Sequence, residues 1–105
     1  MKLLLRNSML AACALLAGPA VAGDAAAEGK QLFTQKASPA CAVCHTLRHA
    51  GATGQIGPDL DELRPDAARV EKAVRNGIGQ MPANSNLSEA QIRLLAKYVA
   101  EVAGK

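Results

Sequence analysis

Cys41-Ala42-Val43-Cys44-His45 stands near the middle of a 105-residue chain. Two thiols at this spacing can add across the two vinyl groups on one edge of a haem. The histidine after the second thiol then sits beneath the iron as an axial ligand. Among short motifs this one points to c-type haem attachment. Two other chemistries use the same residue types. A redox dithiol or disulfide between Cys41 and Cys44 belongs near a βαβ pattern, which the chain does not show. A zinc site made from Cys41, Cys44, His45 and His49 would crowd its ligands into one short stretch, without the long spacer of common zinc modules.

A haem iron ligated by His45 needs a sixth ligand from the opposite face. Met81 is the only methionine after the N-terminal leader. It lies in a polar loop, Gly79-Gln80-Met81-Pro82, where simple core filling is not its expected role. A Met/His pair raises the haem potential and suits electron transfer. His49 is the alternative, but it follows His45 by one helical turn on the same short stretch and is expected on the same side of the haem, at the surface. An open sixth position would instead suit a haem enzyme of peroxidase type, which Met81 disfavours.

Upstream of the motif the chain opens like an export signal. Met1 to Asn7 carries Lys2 and Arg6 and no acid, and Ser8 to Ala17 is almost wholly apolar. Gly18 and Pro19 break that run, and Ala20-Val21-Ala22 offers the small residues a signal peptidase reads. The expectation is a signal peptide at residues 1–22, cleaved after Ala22, and a cytochrome c domain at 23–105. The apolar run is shorter than the ~20 residues of a bilayer span, so a membrane anchor is not expected. Leu10-Ala11-Ala12-Cys13 has the shape of a lipoprotein box, but the apolar core before it is too short, and Cys13 is read as part of the leader core. Export places the domain in the periplasm.

Removal of the leader takes away two basic residues, leaving ten basic against nine acidic ones, a net charge of +1. No basic run remains to support nucleic-acid binding. The remaining chain has one Phe, one Tyr and no Trp. A domain this small rarely builds a sufficient core unaided. A covalently held porphyrin would supply the apolar body that aromatic residues do not.

The elements read as all-α. Asp24 can cap a helix from Ala25 to Lys36, with Ala25, Gly29, Leu32, Phe33 and Lys36 on one side. Ser38-Pro39 ends it, because a residue before proline leaves the α region. Ala40 to Leu47 reads as a short helical or turn-rich piece, and Ala50 to Asp59 as a loop. No segment shows the alternation of a half-buried strand. A second helix is expected with Pro65 at its first position, Val70, Ala73 and Val74 as its buried stripe, and Gly77 at its end. Ile78 to Asn86 is loop. The last helix is the best marked: Ser88 and Gln91 form a capping box, and Leu87 and Ile92 a hydrophobic staple. Ile92, Leu95, Ala96, Val99 and Val102 follow as an apolar stripe.

From Gly29 to about Val102 the sequence resembles class I cytochromes c. The resemblance is carried by Gly29 and Phe33, the haem motif, Gly57-Pro58-Asp59-Leu60, Met81-Pro82, and Leu95 with Tyr98. It implies a small class I cytochrome c fold, three main helices around one covalently bound haem c. It implies that the first and last helices cross at Gly29, with Phe33 and Tyr98 packing nearby. It also implies that the carbonyl of Pro58 accepts the free ring N–H of His45, which would orient that ligand. The cofactor-binding set is then Cys41, Cys44, His45, Pro58 and Met81, with His45 and Met81 on the iron. The run from Cys41 through Asp59-Leu60-Asp61-Glu62-Leu63-Arg64-Pro65-Asp66 to Asn76-Gly77-Ile78-Gly79 is similar to the small cytochrome subunit of bacterial sulfite dehydrogenases. There a molybdenum subunit oxidises sulfite and the cytochrome takes the electrons singly. That likeness implies an electron carrier rather than an enzyme, with a molybdenum sulfite dehydrogenase as donor and a downstream cytochrome or oxidase as acceptor. A permanent subunit of such a dehydrogenase is the alternative to a free carrier. Arg48, Arg64 and Arg75 are read as surface arginines rather than site residues.

Overall fold

A computed structural model describes residues 20–105, so the leader through Pro19, Cys13 included, lies outside the described residues. Helix α1 runs Ala20–Gln31 and passes into a π-helical turn, Leu32–Lys36. Asp24 therefore sits inside the helix instead of capping it. The alanines around it are strong helix formers, and the backbone stays helical upstream of Asp24. The π turn is closed by Ala37 N–H donating to Leu32 O at 3.0 Å. Within it Leu32 and Phe33 are buried and Lys36 is exposed, so the expected inward stripe ends at Phe33.

Helix α2 is a single turn, Cys41–Cys44. A small antiparallel pair follows: β1 (Thr46–Leu47) and β2 (Ala52–Thr53), with Thr46 opposite Thr53 and Leu47 opposite Ala52. Strands this short show no alternation, which is why the sequence reads as strand-free. Helix α3 (Leu60–Leu63) is capped by Asp59, whose side chain accepts from Asp61 N–H at 2.9 Å.

Helix α4 spans Ala67–Asn76. Its N-cap is Asp66, not the proline before it: Asp66 Oδ1 accepts from Arg69 N–H at 2.8 Å, and Pro65 stays outside, buried. A carboxylate satisfies an orphan amide of the first turn, which proline cannot do. Val74 is the fully buried member of the expected stripe, with Val70 and Ala73 half-buried. Gly77 ends the helix at φ 76° and ψ 167°, a positive φ but not the left-handed helical conformation.

Helix α5 (Glu89–Val102) carries the full capping box. Ser88 Oγ accepts from Gln91 N–H at 3.1 Å and Gln91 Oε1 accepts from Ser88 N–H at 2.8 Å. Its buried residues are Ile92, Leu95, Ala96, Tyr98 and Val99, and Leu87 before the cap is buried with them. Helix α5 packs on both α1 and α4. At the α1 crossing, a Cβ placed on Gly29 would lie 2.5 Å from Tyr98 Cγ and closer still to Tyr98 Cβ. Only glycine permits that approach.

Candidate functional site

The π turn, helices α2 to α5 and the loops between them line a cavity of about 830 Å³. That volume falls in the range of roughly 300–1,000 Å³ typical of cofactor sites. Cys41, Cys44, His45, Pro58 and Met81 all line it, with apolar walls from Phe33, Leu60, Val70 and Val74.

Each of these residues is placed by its own local chemistry. The turn of α2 ends where His45 N–H donates to Cys41 O at 3.0 Å, and His45 leaves the helix with an extended backbone. The loop that follows folds back onto the motif: Gly57 N–H donates to Cys44 O at 2.6 Å, and Thr46 Oγ1–H donates to Gly54 O at 2.9 Å. Pro58 O then lies 2.7 Å from His45 Nδ1. A carbonyl can only accept, so Nδ1 carries the proton and Nε2 presents its lone pair. Gly57 makes room for this ring, since a Cβ there would lie 2.6 Å from His45 Cε1. Met81 comes from a different part of the chain, in a tight loop closed by paired bonds between Ile78 and Met81 of 3.0 and 2.9 Å.

Cys41 and Cys44 are not joined in a disulfide. Burial, with Cys44 nearby, pushes the Cys41 thiol up to about 11 against a weaker opposing backbone hydrogen bond, so the unattached thiol is neutral at physiological pH. No three His, Cys, Asp or Glu side chains come together as a metal cluster among the described residues, so the zinc arrangement does not form. His49 does not line the cavity. Its Nδ1 is hydrogen-bonded to Tyr98 Oη at 2.8 Å, with the two rings edge to face. Burial raises the Tyr98 phenol to about 12.

The arginines set aside as surface residues stay outside the cavity. Arg48 and Arg64 turn to Asp61, and Arg75 pairs with Glu71 and Glu89. Arg69 and Lys72 of α4 line the cavity instead. Asp61 is a further residue whose role was not visible in the sequence. Its carboxylate is buried and accepts from Arg48 N–H and Gly104 N–H, both at 2.8 Å. Burial works to raise its pKa, but the two amides and the charges of Arg48 and Arg64 outweigh it and hold the carboxyl below its ordinary value.

A family model described as cytochrome c oxidase, cbb3-type, subunit III matches residues 24–99. The crystal structure of the c-type cytochrome SorU from Sinorhizobium meliloti is 53% identical, with a TM-score of 0.77, over 79% of this chain and 95% of that one. The chain belongs to the c-type cytochromes. No curated protein matches its sequence. The cytochrome carries covalently bound haem c and is an electron-transfer protein, not an enzyme. The residues present fit that group: the cavity has the volume, the walls are mostly apolar, and both thiols border it beside an imidazole whose free nitrogen is Nε2.

Proposed function

We propose that the protein is a periplasmic single-electron carrier whose haem is anchored by Cys41 and Cys44 and ligated by His45 and Met81. The observation that carries this is the meeting of both thiols, His45 and Met81 on one cavity, with His45 Nδ1 committed to Pro58 O at 2.7 Å. The haem supplies the one-electron Fe(III)/Fe(II) couple. The chain supplies the rest. Cys41 and Cys44 hold the group by thioether bonds, so it is kept through every cycle. The Pro58 hydrogen bond orients His45 and raises its basicity as a ligand. Phe33, Leu60, Val70 and Val74 keep water from the site and help set the potential. The thioether Met81 favours the reduced state and raises the potential.

The periplasmic location rests on the leader pattern of residues 1–22, and on the attachment of haem to such motifs after export. The donor we infer is a molybdenum sulfite dehydrogenase, on the likeness of the run from Asp59 to Asp66 and of Asn76-Gly77-Ile78-Gly79 to the small cytochrome subunits of those enzymes. The acceptor is a downstream cytochrome or oxidase.

Two measurements test this reading. In the ferric wild-type protein the near-infrared methionine–iron charge-transfer band is expected. Met81→Ala is expected to lose that band and to lower the potential substantially; an unchanged potential would assign the sixth position to another residue. Stopped-flow mixing of the ferric protein with a bacterial sulfite dehydrogenase and sulfite is expected to show reduction in the haem α-band. Failure to reduce would remove sulfite oxidation as the source of electrons while leaving the haem ligation intact.

A further inference from the structure

The loop that presents Met81 is tied to the chain that enters the haem motif by two asparagine side chains. Asn84 is one of two buried polar or charged residues among those described, the other being Asp61. Its Oδ1 accepts from Ser38 N–H at 3.2 Å, and its Nδ2–H donates to Pro39 O at 3.5 Å. Asn86, exposed, repeats the arrangement from two residues further on. Its Oδ1 accepts from the same Ser38 N–H at 3.2 Å, and its Nδ2–H donates to Lys36 O at 2.8 Å. These bonds cross 45 to 50 residues of sequence. Their backbone partners, Lys36, Ser38 and Pro39, lie just upstream of Cys41. The main chain of Asn84 is held as well, its N–H donating to Val74 O of α4 at 2.8 Å.

We propose that Asn84 and Asn86 are positioning residues for Met81: a two-part latch that holds the methionine loop closed against the chain leading into Cys41. The proposal rests on the reading of Met81 as sixth ligand. The free-energy logic is that of a two-state loop. A thioether is a weak ligand, and the state with Met81 off the iron is reached only when the loop moves away. Hydrogen bonds present in the closed state and absent in the open one shift that equilibrium toward Met81 bound. An exogenous ligand that binds only the open state then measures the latch directly. Imidazole is such a probe: its nitrogen–iron bond forms as the Met81 Sδ–iron bond breaks, with no change in oxidation state.

The experiment is imidazole titration of the ferric holoprotein, followed in the methionine–iron band, for wild type, Asn84→Ala, Asn86→Ala and the double variant. The wild type must first show the band; its absence would overturn the ligand reading and the latch with it. With the band present, net hydrogen-bond energies predict imidazole binding up to about tenfold tighter for Asn84→Ala. A smaller gain is expected for exposed Asn86→Ala. The double variant is expected to fall short of the product of the two, because both side chains share the Ser38 amide. Gly29→Ala destabilises the fold at the α1–α5 crossing, where the contacts are with Tyr98 and not with Asn84, Asn86 or their partners, and is expected to leave imidazole affinity unchanged, which separates loop release from general loosening. Asn86→Ala keeps the test open if Asn84→Ala does not fold. If the folded double variant, or Asn86→Ala alone where Asn84→Ala does not fold, gains less than about twofold over wild type, the latch is overturned while Met81 remains the ligand.

Discussion

Asp61 shows how one residue can organise a region that the sequence leaves as a charged run. Its carboxylate joins the turn after β1, through Arg48 N–H, to the C-terminus, through Gly104 N–H, and it sits at the start of the helix that follows Pro58. Replacing it with alanine leaves both amides without their acceptor, and a loss of about 3 kcal/mol is expected by denaturant titration. Asp61→Asn keeps the shape but not the charge, so its effect appears in the pH dependence. A carboxyl held below its ordinary value of 3.8 contributes stability that is full above that pH and fades as pH falls through the lower folded value. The wild type should therefore lose stability between about pH 4 and more acid conditions. The Asp61→Asn variant should be less stable at pH 7 and show a flatter acid limb; equal slopes would mean that Asp61 is not the titrating group. None of this was legible in Asp59-Leu60-Asp61-Glu62, where three acids look alike and only the fold buries the middle one.

Among the elements, α5 was the most readable and α1 the least. The Ser88–Gln91 capping box and the stripe from Ile92 to Val99 depend on contacts within one or two turns, and local sequence contains all of that information. The π turn at Leu32–Lys36 does not belong to that class. It falls where two adjacent large side chains, Leu32 and Phe33, are buried in the core, and no local signal marks it. The crossing of α1 with α5 lies between these cases. Gly29 was marked by resemblance, and its reason is steric: Tyr98 occupies the space a Cβ would need. Gly29→Ala forces the two helices apart. Overpacking of this kind typically costs about 1–3 kcal/mol, set against the small gain in helix propensity of alanine over glycine. A lowered thermal midpoint with an intact haem spectrum is the expected result, and a raised midpoint would show that the crossing is loose enough to absorb a methyl group.

The whole molecule is built around a hollow. A cavity of about 830 Å³ runs through the core of a domain with one Phe, one Tyr and no Trp. Left unfilled, it would expose apolar walls such as Phe33, Leu60, Val70 and Val74 to water. The covalent group is therefore part of the core as well as the redox centre. A Cys41→Ala/Cys44→Ala variant, which cannot anchor it, is expected to show little helical far-UV circular dichroism and no cooperative thermal transition. A native-like helical spectrum in that variant would mean the polypeptide core is sufficient alone.

The sequence alone determined the chemistry at the centre and the helical class, because both are encoded at short range. Two thiols and an imidazole at fixed spacing, a methionine in a polar loop, capping residues and apolar stripes each act over a few positions. The tertiary structure decided which distant groups meet. It placed Met81 on the same cavity as Cys41, Cys44 and His45, committed His45 Nδ1 to Pro58, turned His49 away to Tyr98, buried Asp61, and brought Asn84 and Asn86 back to Ser38. Hydrogen bonds across 46 or 48 residues leave no periodic trace in a chain. They exist only once the helices have packed and the cavity between them has taken its shape.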